Sequence, residues 1–510
     1  MLNRLSVTKT GPLSSLARLQ RAYLSGTGLS PTIKELLLVK PPAVDSTVVA
    51  QGHIRSIRQG KSAGFVDVSD GSIHSSLNIV VKNPLEVFSK LQLKVGQSIA
   101  VKGQWVESQG TQEYELVYNS NDSSHSLSVI GDVPESYPIQ KKATTYQNLR
   151  NYPTLRHRTS TLASILRFRS YMEAKFFEFF NSRDFVKVVP PLITSSDCEG
   201  AGEQFVVESL AKTKAPIGKE KTPEDYFFGK ATYMTVSTQL HLEVLALSLN
   251  RAWTLTPCFR AEDSNTNRHL SEFWMLEAEI CYIDDLEQLT AFTEEMIRYV
   301  TKDLVAKAED SLTTGGAVDL IGSRFKKEDI EIMKGRWNSI LSEEKWPSIT
   351  YTEAIEIINR VMNKGRSKNR LQWGDSIQTP HEKWLAGEHF KSPLFITDYP
   401  SGEKPFYMPK SKNFDPARPT VACYDLILPE IGELVGGSMR EHNYENLIAE
   451  MKRRDMNIED MQWYLSTRIN GTVPHGGFGM GFERLIAYLS AMENVKDVIP
   501  FPRVPESCQC

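Results

Sequence analysis

Between residues 46 and 131 the chain breaks into short runs of alternating apolar and polar residues, each closed by a turn signal. That pattern restricts this part of the chain to a small β-structure. The runs read as strands at Thr47 to Ile57, Phe65 to Val68, Leu77 to Val81, Ile99 to Val106 and Tyr114 to Val117, with turns at Asp70-Gly71 and Asn119 to Ser124. Five strands in about 85 residues suit a small closed barrel, and an OB-fold is the commonest solution. Residues 132–160 then read as a hinge: Pro134, Pro138 and Pro153, Lys141-Lys142, and a basic run from Arg150 to Arg158.

From Thr161 the period changes. Ile165, Phe168, Met172, Phe176 and Phe179-Phe180 fall on one stripe of a helix over 163–181. Phe185 to Val189 follows as a strand and is stopped by Pro190-Pro191. Residues 161–510 are expected to form the second domain, with a charged surface insertion at about 309–346 that has a helix of its own. Lys+Arg number 59 against 62 Asp+Glu, a net charge of −3, which excludes a globally basic nucleic-acid coat but leaves room for a local basic face. No apolar run reaches the roughly 18 residues of a membrane helix, so no membrane partner is expected. The 6 cysteines lack disulfide-framework or zinc spacing, which points to a reducing compartment.

The N-terminus differs from the rest. Arg4, Lys9, Arg18 and Arg21 are basic, no acidic residue precedes Glu35, and Leu13, Leu16 and Leu19 recur at helical spacing. That composition is expected of an organelle transit peptide over residues 1–25, with the mitochondrial matrix as destination.

Three segments carry chemistry. The first runs from Phe259-Arg260-Ala261-Glu262-Asp263 through a polar loop to Glu272-Phe273-Trp274-Met275-Leu276-Glu277-Ala278-Glu279. The second holds Asp425, Glu433 and Gly436-Gly437-Ser438-Met439-Arg440, and the third is Gly476-Gly477-Phe478-Gly479-Met480-Gly481-Phe482-Glu483-Arg484. Arg and Glu two apart on a strand share a face, so Arg260 can grip an anion while Glu262 accepts from an amine. Glycines before Arg484 let backbone and ligand come close. A glycine-rich run or an Arg-x-Glu pair alone is usually a packing device or a solvated face; order and spacing together carry the argument.

On these residues the chain resembles the class II aminoacyl-tRNA synthetases, and within their aspartyl/asparaginyl/lysyl subgroup the asparaginyl branch in a mitochondrial form. Phe185 to Pro191, Phe259 to Glu279 and Gly479 to Arg484 are similar to the three class motifs. Cys198 to Glu203, Ser237-Thr238-Gln239-Leu240, Arg268 to Trp274 and Asp497 to Arg503 are similar to words of that branch, so the likeness runs from about 46 to 504. The resemblance implies an α+β protein: an N-terminal OB-fold that binds the anticodon, and a catalytic domain of antiparallel sheet flanked by helices.

The resemblance also implies residue roles. Arg260 would bind the α-phosphate of ATP, Glu262 the adenine amino group, and His269 the ATP tail; Phe273 would stack under the adenine and Arg484 cover its other face and reach the γ-phosphate. Asp425 and Glu433 would carry magnesium. Attack of a carboxylate on the α-phosphate brings two anions together, and cationic groups must neutralise that charge and hold the line of attack. Arg260 and Arg484 are therefore the expected catalytic pair.

Asparagine itself is expected to meet Ser237, Gln239, Glu243, Glu277, Arg440, His475 and Glu199, with Glu277 and Glu199 on its ammonium and Glu243 on its amide. Aspartyl relatives carry Ser-Pro-Gln with a lysine three positions after the Gln; here Leu242 occupies that position and Glu243 follows, which disfavours an anionic ligand. Thr238 stands where the family usually has Gly. Phe65 would stack on the middle anticodon base of tRNA(Asn), Asn78 would replace a more usual Gln beside it, and Arg55, Arg58 and Lys61 would supply phosphate-facing charge. The aromatic-rich helix at 163–181 running into Phe185 to Pro191 is expected at a two-fold interface, making a homodimer. The competing readings are an aspartyl enzyme, a paralogue forming small-molecule amides, and a regulatory RNA-binding paralogue; Leu242 and Glu243, the barrel, and the intact Arg260, Glu262, Asp425, Glu433 and Arg484 stand against them in turn.

Overall fold

The computed structural model describes residues 29–38, 46–110, 112–142, 144–196, 204–209, 222–306, 315–324, 326–362 and 370–510. The expected transit peptide and Glu199 lie outside the described residues. The described residues separate into two compact units: those up to Phe168 together with 315–324, and those of Arg169–Ala306 and Lys326–Cys510.

In the first unit, alternation builds a barrel. Strands β1 (Thr47–Gln59), β2 (Ala63–Ser69), β3 (Leu77–Lys82), β4 (Ser98–Glu107), β5 (Tyr114–Tyr118) and β6 (Ser126–Gly131) form one sheet in the order β1-β2-β3-β5-β4-β6, and an added β1–β4 pairing closes it. Val66, Val68, Ile99, Val101, Trp105 and Leu116 fill the inside, because a two-residue repeat sends every second side chain there. β6 is a strand the sequence reading does not contain; it pairs with β4 and offers only half-buried Leu127 and Val129 between exposed neighbours.

Residues 315–324 belong to this unit through one buried carboxylate. Asp319 accepts from Arg167 Nε at 2.7 Å and Nη2 at 3.0 Å and from the His74 backbone N–H at 2.9 Å. Thr161 Oγ1 donates to the Ser323 carbonyl at 2.7 Å. Within the charged stretch read as an insertion, Lys327–Leu341 is a helix of the second unit, with Met333, Trp337 and Ile340 buried and Trp337 Nε1 donating to the Leu489 carbonyl at 2.8 Å.

The second unit is organised by an 8-stranded sheet in the order β12-β13-β14-β15-β16-β11-β10-β7. Its strands are β7 (Val186–Lys187), β10 (Arg251–Phe259), β11 (Glu272–Cys281), β12 (Ser348–Thr350), β13 (Leu394–Thr397), β14 (Cys423–Leu428), β15 (Gly432–Met439) and β16 (His475–Gly481); β8 (Ile193–Thr194) and β9 (Tyr233–Met234) make a separate ribbon. All neighbours in the large sheet are antiparallel except the two edge pairs, β7 with β10 and β12 with β13. Helices Leu286–Ala306, Lys327–Leu341 and Phe482–Leu489 bury apolar faces in this unit.

Register explains the glycines of β16. Gly479 lies opposite Glu277 and Gly477 opposite Glu279, and a Cβ on Gly477 would collide with the Glu279 carboxylate. The strand is stripped of side chains where its neighbour carries two buried glutamates, and at Gly477 the Glu279 carboxylate takes the space that a Cβ would need.

Candidate active site

Two adjoining cavities open on one face of the large sheet. The larger, about 380 Å³, is lined by Arg260, Glu262, Arg268, His269, Phe273, Glu382, Glu433 and Arg484 among others. The smaller, about 260 Å³, is lined by Ser237, Gln239, Leu242, Glu277, Lys404, Asp425, Glu433 and Arg440 among others. Arg260, Met275, Glu433 and Gly479 belong to both walls, so a ligand in one cavity abuts a ligand in the other across Arg260.

The larger cavity is built by the β10–β11 hairpin and the start of a helix. Arg260 leaves β10 with its N–H on the Ser271 carbonyl at 3.0 Å, and its guanidinium lies 5.5 Å from the Phe273 ring centre. Arg484 sits in the first turn of Phe482–Leu489 and donates from Nη1 to the Glu433 carbonyl at 3.1 Å. Glycines at 479 and 481 keep the wall between them low. In the hairpin loop, His269 Nδ1 is 2.9 Å from both Ser264 Oγ and Thr266 Oγ1. Burial, then the nearby Arg484 charge, pushes the His269 imidazole below its ordinary value, which favours its neutral form. Arg268 donates to Thr379 Oγ1 and joins the same wall. Three arginines and an imidazole around one cavity suit a polyanion, and Phe273 supplies a ring face for an aromatic base.

Asp425 and Glu433 converge over Gly436, whose ideal Cβ would lie 3.5 Å from an oxygen of each. Their charges are managed differently. Lys404 Nζ reaches Asp425 Oδ2 at 2.8 Å and Oδ1 at 3.0 Å, yet burial leaves the Asp425 carboxyl above its ordinary value. Glu433 loses solvent too, but Arg484, Lys404, Arg260 and Arg268 outweigh that and hold it below its ordinary value. Glu382 accepts the Glu433 backbone N–H at 3.2 Å; burial and then repulsion by Glu433 push its carboxyl up to about 7. Neither Lys404 nor Glu382 is among the residues singled out from sequence.

The smaller cavity rests on a fully buried charge cluster. Arg440 donates from Nε to Glu279 Oε1 at 3.1 Å and from Nη2 to Glu279 Oε2 at 3.0 Å, and from Nη1 to Ser438 Oγ at 2.6 Å. Glu243 accepts from Arg468 Nη2 and Tyr464 Oη, each at 2.7 Å, and from Gln239 Nε2 at 3.1 Å, with His475 Nε2 at 3.3 Å. Burial works against its charge, but Arg468, His475 and Arg440 keep Glu243 far below the usual carboxylate range. Glu243 and His475 are not on the cavity wall: they stand behind it, and Glu243 spends its oxygens on protein donors. Ser237, Gln239, Glu277 and Arg440 are on the wall, as is Leu242. Glu277 accepts from Ser237 Oγ on one oxygen and from Thr238 on the other, through its hydroxyl and through its backbone N–H at 3.1 Å.

On the barrel, Phe65 stands on the outer face of β2, 36% exposed, with the Arg58 guanidinium 5.3 Å from its ring centre. Asn78 Nδ2 donates to Asp67 Oδ1 at 2.8 Å, and Ser56 Oγ donates to the other Asp67 oxygen. A carboxylate only accepts, so the amide NH₂ must face Asp67 and the Asn78 carbonyl oxygen is left for another donor. Lys61 is exposed near the tip of the β1–β2 hairpin, whereas Arg55 is turned to the Arg158 carbonyl at 2.7 Å.

Residues 146–505 match the family model for class II tRNA synthetases (D, K and N), and residues 48–120 match one for OB-fold nucleic acid binding domains. The chain is 43% identical over 488 residues to the mitochondrial asparagine–tRNA ligase of Saccharomyces cerevisiae, covering 93% of this chain and 95% of that protein. It is 37% identical over 482 residues to the asparagine–tRNA ligase of Microcystis aeruginosa, covering 94% and 99%. Among solved structures it is similar to asparaginyl-tRNA synthetase from Pyrococcus horikoshii complexed with asparaginyl-adenylate, with a TM-score of 0.77 and 27% identity over 94% of this chain and 99% of that one. The Entamoeba histolytica enzyme, also with asparaginyl-adenylate, gives 0.72 and 26% over 91% and 97%.

Proposed function

The chain belongs to the class II tRNA synthetases of the aspartate, lysine and asparagine group, and we infer that within it the protein is an asparagine–tRNA ligase acting in mitochondrial translation. It activates L-asparagine with ATP to asparaginyl-adenylate, releasing diphosphate, and transfers the asparaginyl group to tRNA(Asn), releasing AMP. The observation that carries this reading is the pair of cavities meeting at Arg260, with Leu242, where aspartyl relatives carry a lysine, in the wall of the smaller one together with Glu277, Lys404 and Arg440.

ATP fits the larger cavity with its base on Phe273 and beside Glu262, and its phosphates toward Arg260, His269 and Arg484. Asparagine fits the smaller cavity with its carboxylate toward Arg260. A carboxylate oxygen then attacks the α-phosphorus; the new O–P bond forms as the bond to diphosphate breaks. Arg260 faces both anions, offsets their repulsion, and binds the transition state more tightly than the ground state as charge builds. Neutral His269 can donate one N–H to the phosphate tail. Arg440, fixed by Glu279, donates to the side-chain carbonyl, while the amide NH₂ and the ammonium require acceptors, which Glu277 and Gln239 supply. With Glu277, not the Glu243 expected from sequence, taking the amide NH₂, an aspartate side chain would set a carboxylate against Glu277, and the further cation that a lysine at position 242 would supply is absent.

Magnesium suits Asp425 and Glu433. The two converge as hard oxygen donors over a position that a side chain at 436 would fill, and Mg²⁺ is typically held by one or two carboxylates plus substrate phosphates. When bound it would draw charge from the phosphates and orient them.

The mature enzyme is assigned to the mitochondrial matrix and to a homodimer. Matrix import is supported by the acid-free N-terminus and by likeness to a mitochondrial yeast ligase; deleting residues 2–25 should abolish import and leave activity intact. Among the described residues no helix is long and apolar enough to cross a membrane. The stripe of Ile165, Phe168, Met172, Phe176 and Phe179-Phe180 expected at a two-fold interface is already buried in the single chain; dimerisation is supported instead by the edge strand β7, around which Phe177, Val186, Val189 and Ile193 are exposed apolar residues. Light scattering at micromolar concentration should give twice the chain mass. The anticodon is assigned to Phe65 and Asn78, with Arg58 and Lys61 beside them. Charging mitochondrial and cytosolic tRNA pools with each labelled amino acid tests the whole assignment: only asparagine, and only on tRNA(Asn), is expected to be incorporated.

A further inference from the structure

Thr238 is the first residue before the helix Gln239–Leu249, the N-cap position. A threonine there ordinarily turns its hydroxyl onto a free N–H of the first helical turn. Here it makes no such bond. The hydroxyl goes instead to Glu277, as does the residue's backbone N–H, at 3.1 Å, and Thr238 is fully buried. The other Glu277 oxygen takes the Ser237 hydroxyl, and Ser237 Oγ in turn accepts the Gln239 N–H at 3.2 Å.

A carboxylate has about four acceptor positions and no donor. Three donors from one turn of chain therefore clamp both Glu277 oxygens, and a hydroxyl facing a carboxylate can only donate. Glu277 is anchored at one edge of the smaller cavity and offers that cavity acceptor capacity alone. We propose that Thr238 is a positioning residue for amino-acid selection: its hydroxyl fixes the Glu277 carboxylate so that it receives an N–H of the bound amino acid. The inference rests on the reading that asparagine occupies the smaller cavity. It gives Thr238 a role distinct from packing: volume alone would be met by valine, whereas the clamp needs the hydroxyl.

The test is ATP–pyrophosphate exchange by the full chain carrying Thr238→Val, Thr238→Ser, Glu277→Gln, or Thr238→Val with Glu277→Gln. Loss of one hydrogen bond to a charged group should raise the KM for asparagine roughly 10- to 100-fold in Thr238→Val. The kcat and the KM for ATP should stay within about threefold, the signature of lost substrate binding. Serine should restore asparagine binding to within about threefold of wild type, and the double variant should be little worse than Glu277→Gln alone, because the hydroxyl acts through that carboxylate. An unchanged asparagine KM in Thr238→Val, with a raised one in Glu277→Gln, would overturn the proposal and leave the reading of the cavity standing. An unchanged asparagine KM in Glu277→Gln would overturn that reading itself. A parallel loss of melting temperature and of both substrates' KM, not restored by serine, would make Thr238 a packing residue and end the proposal.

Discussion

Arg440 grips Glu279 by two parallel hydrogen bonds, 3.1 Å from Nε and 3.0 Å from Nη2, in a wholly buried pair beside the smaller cavity. The planar fork is thereby fixed, and Nη1 is fixed too by Ser438. A lysine cannot reproduce that geometry. Arg440→Lys should lower kcat/KM for asparagine by roughly 10- to 100-fold, about 1.5–3 kcal/mol, with the KM for ATP unchanged. Steady-state exchange kinetics with each substrate varied in turn check this.

Arg260 is the cation that the walls of both cavities share. Arg260→Ala removes a charge-assisted donor from the developing charge and should slow adenylate formation by about 10² to 10³, or about 2.7–4 kcal/mol. Its side chain lines a pocket rather than the core, so the melting temperature should barely move. Single-turnover activation read alongside a thermal melt separates the two.

How far the sequence disclosed this site is seen residue by residue. The barrel strands were legible because half-buried alternation is a local signal, and β6 was not, since Leu127 and Val129 are only partly covered. Arg260, Phe273, Asp425, Glu433 and Arg484 stand in ordered motifs and meet as expected on the walls of the two cavities. Lys404 lies in a bend and Glu382 in the short helix Thr379–Trp384, outside every motif singled out from sequence; only the fold brings one to Asp425 and the other to Glu433. Glu243 follows Leu242, the position of the aspartyl relatives' lysine, so the resemblance placed it at the ligand with Gln239. The fold puts Glu243 a layer deeper, where Arg468 and Tyr464, more than two hundred residues later, take its oxygens.

Asp319 predicts a pH effect on the barrel's unit. Burial alone would raise its carboxyl, but hydrogen bonds from His74 and Arg167 bring it down to about 2 from the ordinary 3.8. A carboxyl depressed in the folded state contributes stability above its unfolded value, and that contribution is lost as pH falls through the folded one. The shift corresponds to about 2 kcal/mol. Asp319→Asn should therefore melt well below wild type at pH 6, and the gap should narrow between about pH 4 and pH 2, as followed by circular dichroism.

Phe65 predicts a separation of the two steps. Stacking of a base on an aromatic ring is worth about 1–3 kcal/mol. Phe65→Ala should lower kcat/KM for tRNA(Asn) by roughly 5- to 150-fold and leave ATP–pyrophosphate exchange as in wild type. Equal aminoacylation by the variant would remove the ring from anticodon reading.

Leu242 and Glu277 line the smaller cavity, and the proposed function assigns to them the choice of asparagine over aspartate. The direct measurement is ATP–pyrophosphate exchange by the purified chain with asparagine and with aspartate, each over a full concentration range. Saturable exchange with asparagine and at most trace exchange with aspartate is the predicted result. Saturable exchange with aspartate alone would contradict it.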